Sequence, residues 1–230
     1  MSETKDLSII IPTFNNVEFI DSCLDSVLKS GDGYNIEILI GIDSCLKTLS
    51  HIKSKTYSPL IKFYLFNENS GPYIVKNTLS LKSNSENLLF FDSDDLMNES
   101  MVGRILSCLE NYDCVRPKYI EFNGDPLNTS GPIIPGEGVF AIKKNIFINI
   151  NGFRGWRCAA DSDLSERLKR TPTQTTSPSD CLFLRRLHPN SLTQHSETSL
   201  SSPLRMKYIG EMRENKPLKN FAITSCSFII

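Results

Sequence analysis

Over the first hundred residues, short unbroken apolar runs alternate with stretches whose apolar positions recur at helical spacing. Leu7-Ser-Ile-Ile-Ile11 is β-branched and reads as a buried strand stopped by Pro12. Val17, Ile20, Cys23, Leu24, Val27 and Leu28 then mark one face of a helix that ends at Gly31. Ile36 to Ile42 is a second strand, ending at Asp43, and Lys47 to Lys55 a weak helix. Leu60 to Phe66 is a third strand, and Pro72 opens a helix running to Leu81. Asn87 to Phe91 is the fourth strand. Each strand is a continuous apolar run, the pattern of parallel strands covered on both faces. The expected fold is therefore an α/β sandwich of three layers (helices, sheet, helices) with a mainly parallel central sheet.

Ligands bind such sheets at the carboxyl ends of the strands. All four strands end in polar turns: Thr13-Phe14-Asn15, Asp43-Ser44, Asn67 to Gly71, and Asp92 to Asp95. These turns are expected to meet at one crevice. The last is the most informative, because Leu88-Leu-Phe-Phe91 stops abruptly in Asp92-Ser93-Asp94-Asp95. Asp92 and Asp94 are two apart and share a side on extended backbone. Two such carboxylates suit a hard divalent cation that shares its shell with phosphate. Helix capping is the competing reading, but it needs one acid rather than three.

The second half is less regular. Met97 to Glu110 reads as a helix. Cys114 to Phe122 reads as a strand interrupted by Pro117, and so at an edge. Asn123 to Gly138, with four glycines and three prolines, is a loop. Val139 to Ile142 is a strand, Lys143 to Ile150 a short helix, and Asn151 to Trp156 a turn. Ala159 to Lys169 reads as a helix, Thr171 to Ser179 as a mobile loop, and Cys181 to Leu187 as a strand. His188 to Pro203 is loop-like, Leu204 to Glu214 a basic helix, and Phe221 to Ile230 a closing strand. With no repeat and no clear linker, residues 1–230 read as one domain with a regular half, 1–110, and a more variable half, 111–230.

Composition narrows the function. The 40% hydrophobic content is that of a soluble globular protein, and a net charge of −1 gives no electrostatic case for a nucleic-acid partner. Seven scattered cysteines without a CxxC pair argue for a reducing, cytoplasmic compartment and against a zinc site. The polar start is not a signal peptide, and no run approaches the roughly 20 apolar residues of a membrane helix. The acceptor triplets Asn98–Ser100 and Asn128–Ser130 are chance matches in such a compartment. No GxGxxG or GxxxxGK[ST] loop follows the first strand, which disfavours dinucleotide enzymes and P-loop NTPases.

Four segments in order resemble the family-2 glycosyltransferases of GT-A fold. They are Ser8-Ile-Ile-Ile-Pro12-Thr-Phe-Asn15, Asn69-Ser-Gly71-Pro-Tyr-Ile-Val-Lys76-Asn77, Phe90-Phe91-Asp92-Ser-Asp94-Asp95, and Asn151-Gly-Phe-Arg-Gly155 followed by Ala160-Asp161-Ser-Asp163-Leu164. Arg185-Arg-Leu-His188 resembles an arginine–histidine segment seen late in some members. The resemblance implies a metal-dependent, inverting transfer of a sugar from a nucleoside-diphosphate sugar, UDP favoured, to a hydroxyl of a glycan or glycoconjugate. Mn²⁺ or Mg²⁺ would sit on Asp94, with Asp92 on ribose or a metal-bound water, Asp95 assisting, and His188 a third ligand or a diphosphate contact. Pro12, Thr13, Phe14, Asn15 and Asp43 would line the nucleoside pocket. Asn69, Gly71, Lys76, Asn77, Asp92 and Ser93 would flank the ribose and diphosphate.

Asp161 would be the catalytic base, with Asp163 as the alternative. If the segment is helical, only one of them can point into the site, because i and i+2 do not share a face. Two departures bear on this. The family often has Glu-Asp where this chain has Ala160-Asp161, and two acids where it has Asp43-Ser44. Trp156 would stack on a sugar or belong to the core, and Arg185, Arg186 and Arg205 would face phosphate or cover the surface. The missing acid keeps open a catalytically inactive nucleotide-sugar-binding module. A DxD-type phosphatase is the weaker alternative, since three strands precede the motif and Leu96 follows it.

Overall fold

The computed structural model describes residues 4–127, 129, 131–136, 138–218 and 220–229. Asn128 and Ser130 of the second acceptor triplet, the first three residues of the polar start, and Ile230 of the closing strand lie outside the described residues. The elements in order are β1 (Leu7–Thr13), α1 (Ile20–Ser30), β2 (Ile36–Ile42), α2 (Leu46–Lys53), β3 (Ile61–Phe66), α3 (Pro72–Lys82) and β4 (Asn87–Phe90). They are followed by β5 (Leu96–Met97), α4 (Met101–Leu109), β6 (Cys114–Val115), β7 (Lys118–Phe122), β8 (Ile134–Pro135), β9 (Phe140–Lys143) and α5 (Lys144–Asn149). The last are α6 (Ala160–Leu168), β10 (Thr175–Thr176), β11 (Leu182–Arg186), α7 (Pro203–Arg213) and β12 (Cys226–Phe228).

An eight-stranded sheet has the order β10-β6-β9-β4-β1-β2-β3-β12, and a smaller one the order β5-β11-β7-β8. β4, β1, β2 and β3 are mutually parallel, and β9 and β12 flank them antiparallel. Alternate residues of the central strands enter opposite cores. Ile9, Ile11, Ile38 and Ile40 face one side with α1 and α4, whereas Ile10 and Leu39 face the other with α3, α5 and α6. This gives the three layers expected, and each such buried side chain contributes about 1.5–3 kcal/mol. Gly41 of β2 lets α3 lie close on the sheet, since a Cβ there would come within 2.2 Å of Val75 Cγ1. No helix among the described residues is long and apolar enough to cross a membrane.

The structure corrects the sequence reading at several points. β1 continues through Pro12 to Thr13. Its ladder to β4 covers only Ser8 to Ile10, so the missing proline N–H falls beyond that ladder while β2 runs alongside. The stretch Cys114 to Phe122 is two strands in two sheets, and neither is at an edge. Pro117 is where the chain leaves β6 for β7. The segments read as loops contain β8 and β10, and the acidic turn runs directly into β5, which pairs with β11.

Candidate functional site

The four strand-end turns do meet. Pro12 to Asn16, Asp43, Asn69, Gly71 and Asp92 to Asp95 line one crevice of about 680 Å³, in the range of small-ligand pockets. Its far wall is Arg185, Arg186, His188 and the loop from Asn190 to Thr198. Phe14 is 52% exposed and offers a free ring face at the mouth. Among the described residues, four buried side-chain polar atoms have no partner, and three of them belong to crevice residues: Thr13 Oγ1, His188 Nδ1 and Thr198 Oγ1. Buried polar atoms are ordinarily satisfied, so these three are donors and acceptors that a bound molecule could meet.

Each acid of the turn after β4 has a different environment. Asp94 Oδ2 is 2.8 Å from His188 Nε2, and the imidazole packs on Phe19 at 4.7 Å. If Asp94 is ionised it only accepts, so in this pairing the proton lies on Nε2, and a cation held between the two would replace it. Asp92 Oδ1 accepts from Lys76 Nζ at 2.7 Å. Asp95, expected to assist a metal, is instead buried and accepts the Arg186 amide at 2.9 Å, which ties β11 to the turn. Burial, with the charges of Asp94 and Asp92, pushes its carboxyl well above the usual range. Ser93 is buried and accepts from Asn16 Nδ2 at 2.8 Å.

Asp43 does more than end β2. Its two carboxylate oxygens accept the amides of Ser70 at 2.7 Å and Gly71 at 2.8 Å, fixing the turn that starts α3. Burial raises its carboxyl and these two bonds partly offset the rise. Gly71 has φ +88°, open to glycine, and Arg157 lies over it, bonded to both Asn69 oxygens. Arg157 lines the crevice and had no signal in the sequence, because its contacts lie 88 residues away.

Four expected site residues, Lys76, Asn77, Asp161 and Asp163, lie outside the crevice lining. Lys76 is buried and reaches the crevice only through Asp92. Asn77 donates to Phe153 O at 2.8 Å and Ala222 O at 2.9 Å and accepts the Phe153 amide at 2.9 Å, so both its N–H groups are spent on clamping the chain. Asp163 is buried between Arg154 and Arg167, each at 2.7 Å on a different oxygen. Both of its oxygens are thus taken up by arginines inside the fold.

Asp161 diverges from Asp163 on the first turn of α6. Its Oδ1 accepts from the Tyr73 hydroxyl at 2.9 Å. Its Oδ2 and Asp92 Oδ2 would each lie 3.6 Å from a Cβ at Gly138, so the two oxygens flank one gap. Trp156 stacks on Tyr208 at 4.6 Å and belongs to the packing of α7. Arg205 bonds the carbonyls of Thr198 and Ser199, holding the loop of the far wall.

Among the described residues, no three His, Cys, Asp or Glu side chains form a ready cation cage. Asp94 and His188 nevertheless fit a hard divalent ion by chemistry: one carboxylate and one imidazole, facing each other in the crevice wall, leave most of a coordination shell for phosphate and water.

Residues 8–165 match the family described as Glycosyl transferase family 2. The chain is 39% identical over 113 residues to the poly(ribitol-phosphate) β-N-acetylglucosaminyltransferase TarP of Staphylococcus aureus (strain N315), a match that covers 47% of this chain and 33% of the relative. S. aureus TarS 1-349 in complex with UDP-GlcNAc superposes with a TM-score of 0.71 at 18% identity, over 93% of this chain and 68% of that one. The mannosyltransferase PcManGT from Pyrobaculum calidifontis, in complex with GDP-Man and Mn²⁺, gives 0.68 at 15% identity, over 92% and 70%. The chain thus spans about a third of the length of the curated relative it matches.

Proposed function

The chain belongs to glycosyl transferase family 2, and from that premise we propose that it moves a sugar from a nucleoside-diphosphate sugar to a hydroxyl of a glycan or glycoconjugate. Its layered sheet is the GT-A arrangement. UDP is the favoured nucleotide, since TarS was solved with UDP-GlcNAc and TarP is named for transfer of N-acetylglucosamine. In this reading residues 1–110 hold the donor and 111–230 receive the acceptor. One observation carries it: four strand ends converge on a nucleotide-sized crevice, and Asp161 faces a lining carboxylate, Asp92, across a gap.

The nucleoside lies along Pro12, Thr13, Phe14 and Asn15, its base against the exposed Phe14 ring. Asp43 shapes the floor through the Ser70 and Gly71 amides and keeps lone pairs for the base. Asn69, Gly71 and Ser93 flank the ribose and diphosphate, with Arg157, Arg185 and Arg186 supplying positive charge. Asp94 and His188 would hold Mn²⁺ or Mg²⁺, which when bound neutralises charge developing on the leaving diphosphate. Asp92, clamped by Lys76, borders that site. The acceptor oxygen attacks the anomeric carbon from the face opposite the diphosphate, Asp161 takes its proton, and the bond to the diphosphate breaks. One such displacement inverts the carbon. Asp163, held by two arginines, takes no part.

A thermal-shift screen of UDP and GDP, each with and without Mn²⁺, tests donor binding, because a ligand of the folded state raises apparent stability. UDP with Mn²⁺ is expected to give the largest shift. No shift with any nucleoside diphosphate, with or without the ion, would sink the proposal.

A further inference from the structure

α3 presents Tyr73 and Lys76 three residues apart, hence on one face of the helix. Each reaches one of the two carboxylates that border the gap at Gly138. Lys76 Nζ binds Asp92 Oδ1 at 2.7 Å, and Tyr73 Oη binds Asp161 Oδ1 at 2.9 Å. In both acids the other oxygen, Oδ2, is left facing the gap. Both reaching side chains are buried, and the Tyr73 ring is fixed against Phe153 at 5.2 Å. The two contacts differ in charge. The lysine pairs Asp92 as an ion, whereas the tyrosine binds Asp161 as a neutral donor. Two like carboxylates around one gap thereby have unlike partners.

We propose that Tyr73 is a positioning residue for Asp161: its hydroxyl pins Oδ1 and so aims Oδ2 into the gap where the acceptor hydroxyl gives up its proton. The inference rests on the reading of Asp161 as the base. Burial and the charge of Asp161 push the Tyr73 hydroxyl well above its usual range, so it stays a donor across neutral pH. Nothing comparable holds Asp163, whose two oxygens are locked by Arg154 and Arg167. The position follows Pro72 at the start of α3, and the fixed entry of that helix, set by Asp43 on the Ser70 and Gly71 amides, decides where the hydroxyl lands.

The test is a double-mutant cycle on the full chain with UDP-GlcNAc and Mn²⁺, following UDP release. Tyr73→Phe keeps the ring and its packing. It should lower kcat about ten- to a hundredfold, the worth of a hydrogen bond to a charged group, with KM for the donor unchanged. In the Asp161→Asn background the same change should cost nothing further, because a residue acting only through Asp161 has nothing left to act on. Wild-type kcat in Tyr73→Phe, a loss confined to KM, or losses that multiply independently would each overturn the inference. Wild-type turnover in Asp161→Asn, or no turnover in the unmodified chain, would instead sink the reading of the base or of the reaction. In either of those cases urea unfolding of the same four proteins decides the inference: a coupling of about fivefold between Tyr73 and Asp161 supports the pinning bond, and no coupling overturns it.

Discussion

At the amino ends of β1, β2 and β3, Glu37 is buried and accepts four hydrogen bonds: Ser8 Oγ at 2.6 Å, Lys62 Nζ at 2.8 Å, and the Asn84 amide and side chain at 2.5 and 2.9 Å. At the carboxyl ends of the same sheet, Thr13 Oγ1 and His188 Nδ1 are buried with none. One chain thus treats buried polarity in two ways. Where the strands begin, a charge is fully paired and holds the fold together. Where they end, polar atoms are left unmatched, at a cost of about 1–3 kcal/mol each, beside acids that the fold keeps apart. The difference suggests which residues a change should harm in stability and which in activity.

The largest expected effect lies at the carboxyl end. Asp161→Asn should lower turnover about 10²- to 10⁴-fold, the usual contribution of a general base, and leave nucleotide affinity intact when measured by calorimetry. Weakened donor binding would show that Asp161 belongs to the donor site. Next, His188→Ala should weaken Mn²⁺-dependent UDP binding about ten- to a hundredfold, as loss of a ligand or its support does. Its unfolding free energy should fall only modestly, by about 1–2 kcal/mol, because loss of the Asp94 bond and the Phe19 packing is partly offset by removal of one orphaned buried nitrogen. A larger fall with UDP binding unaltered would make His188 a structural residue like Glu37.

Asn77→Ala sharpens the contrast from the other side. Removing an amide that serves Phe153 and Ala222 should cost about 2 kcal/mol in urea unfolding, with UDP affinity unaltered. The smallest effect belongs to Glu37→Gln, about 1 kcal/mol at neutral pH. Burial pushes the Glu37 carboxyl up, but the bonds from Asn84, Lys62 and Ser8 outweigh it and hold the group below its usual range. Its stabilisation is therefore present above the unfolded value, near 4.5, and is lost as pH falls through the lower folded one. The gap in stability between Glu37→Gln and the unmodified chain should close as the pH is lowered below about 4. A gap that stays constant with pH would mean that charge contributes nothing there.

The parallel half was readable because its strands are apolar runs long enough to show a period. β2 begins and ends where the pattern places it, and Pro72 and Gly31 mark a helix start and a helix end. In the second half β9, α5, α6, β11 and α7 also lie where the sequence places them, but the shortest strands were not legible, and the reason is length: β5, β6, β8 and β10 have two residues each, too few for any periodicity. Their pairing is decided by partners far along the chain, as when Leu96 meets Leu184. Within the site, the acidic turn and His188 were visible as residue types in context. What each acid does was not. Lys76 pairing with Asp92, Tyr73 with Asp161 and Arg186 with Asp95 are contacts over 16, 88 and 91 residues, and only the packed layers bring them together.

β12 adds almost nothing to the core, since Ser227 and Phe228 are exposed and Cys226 half-buried. It nevertheless lies antiparallel along β3, covering the flank of a strand rich in aromatic and branched residues. Uncovered, that flank would be an open row of amides and carbonyls able to recruit the same strand from another molecule. The open edge at this end of the sheet is thereby reduced to the outer side of a three-residue strand, and deleting those residues is expected to show first as turbidity at high concentration.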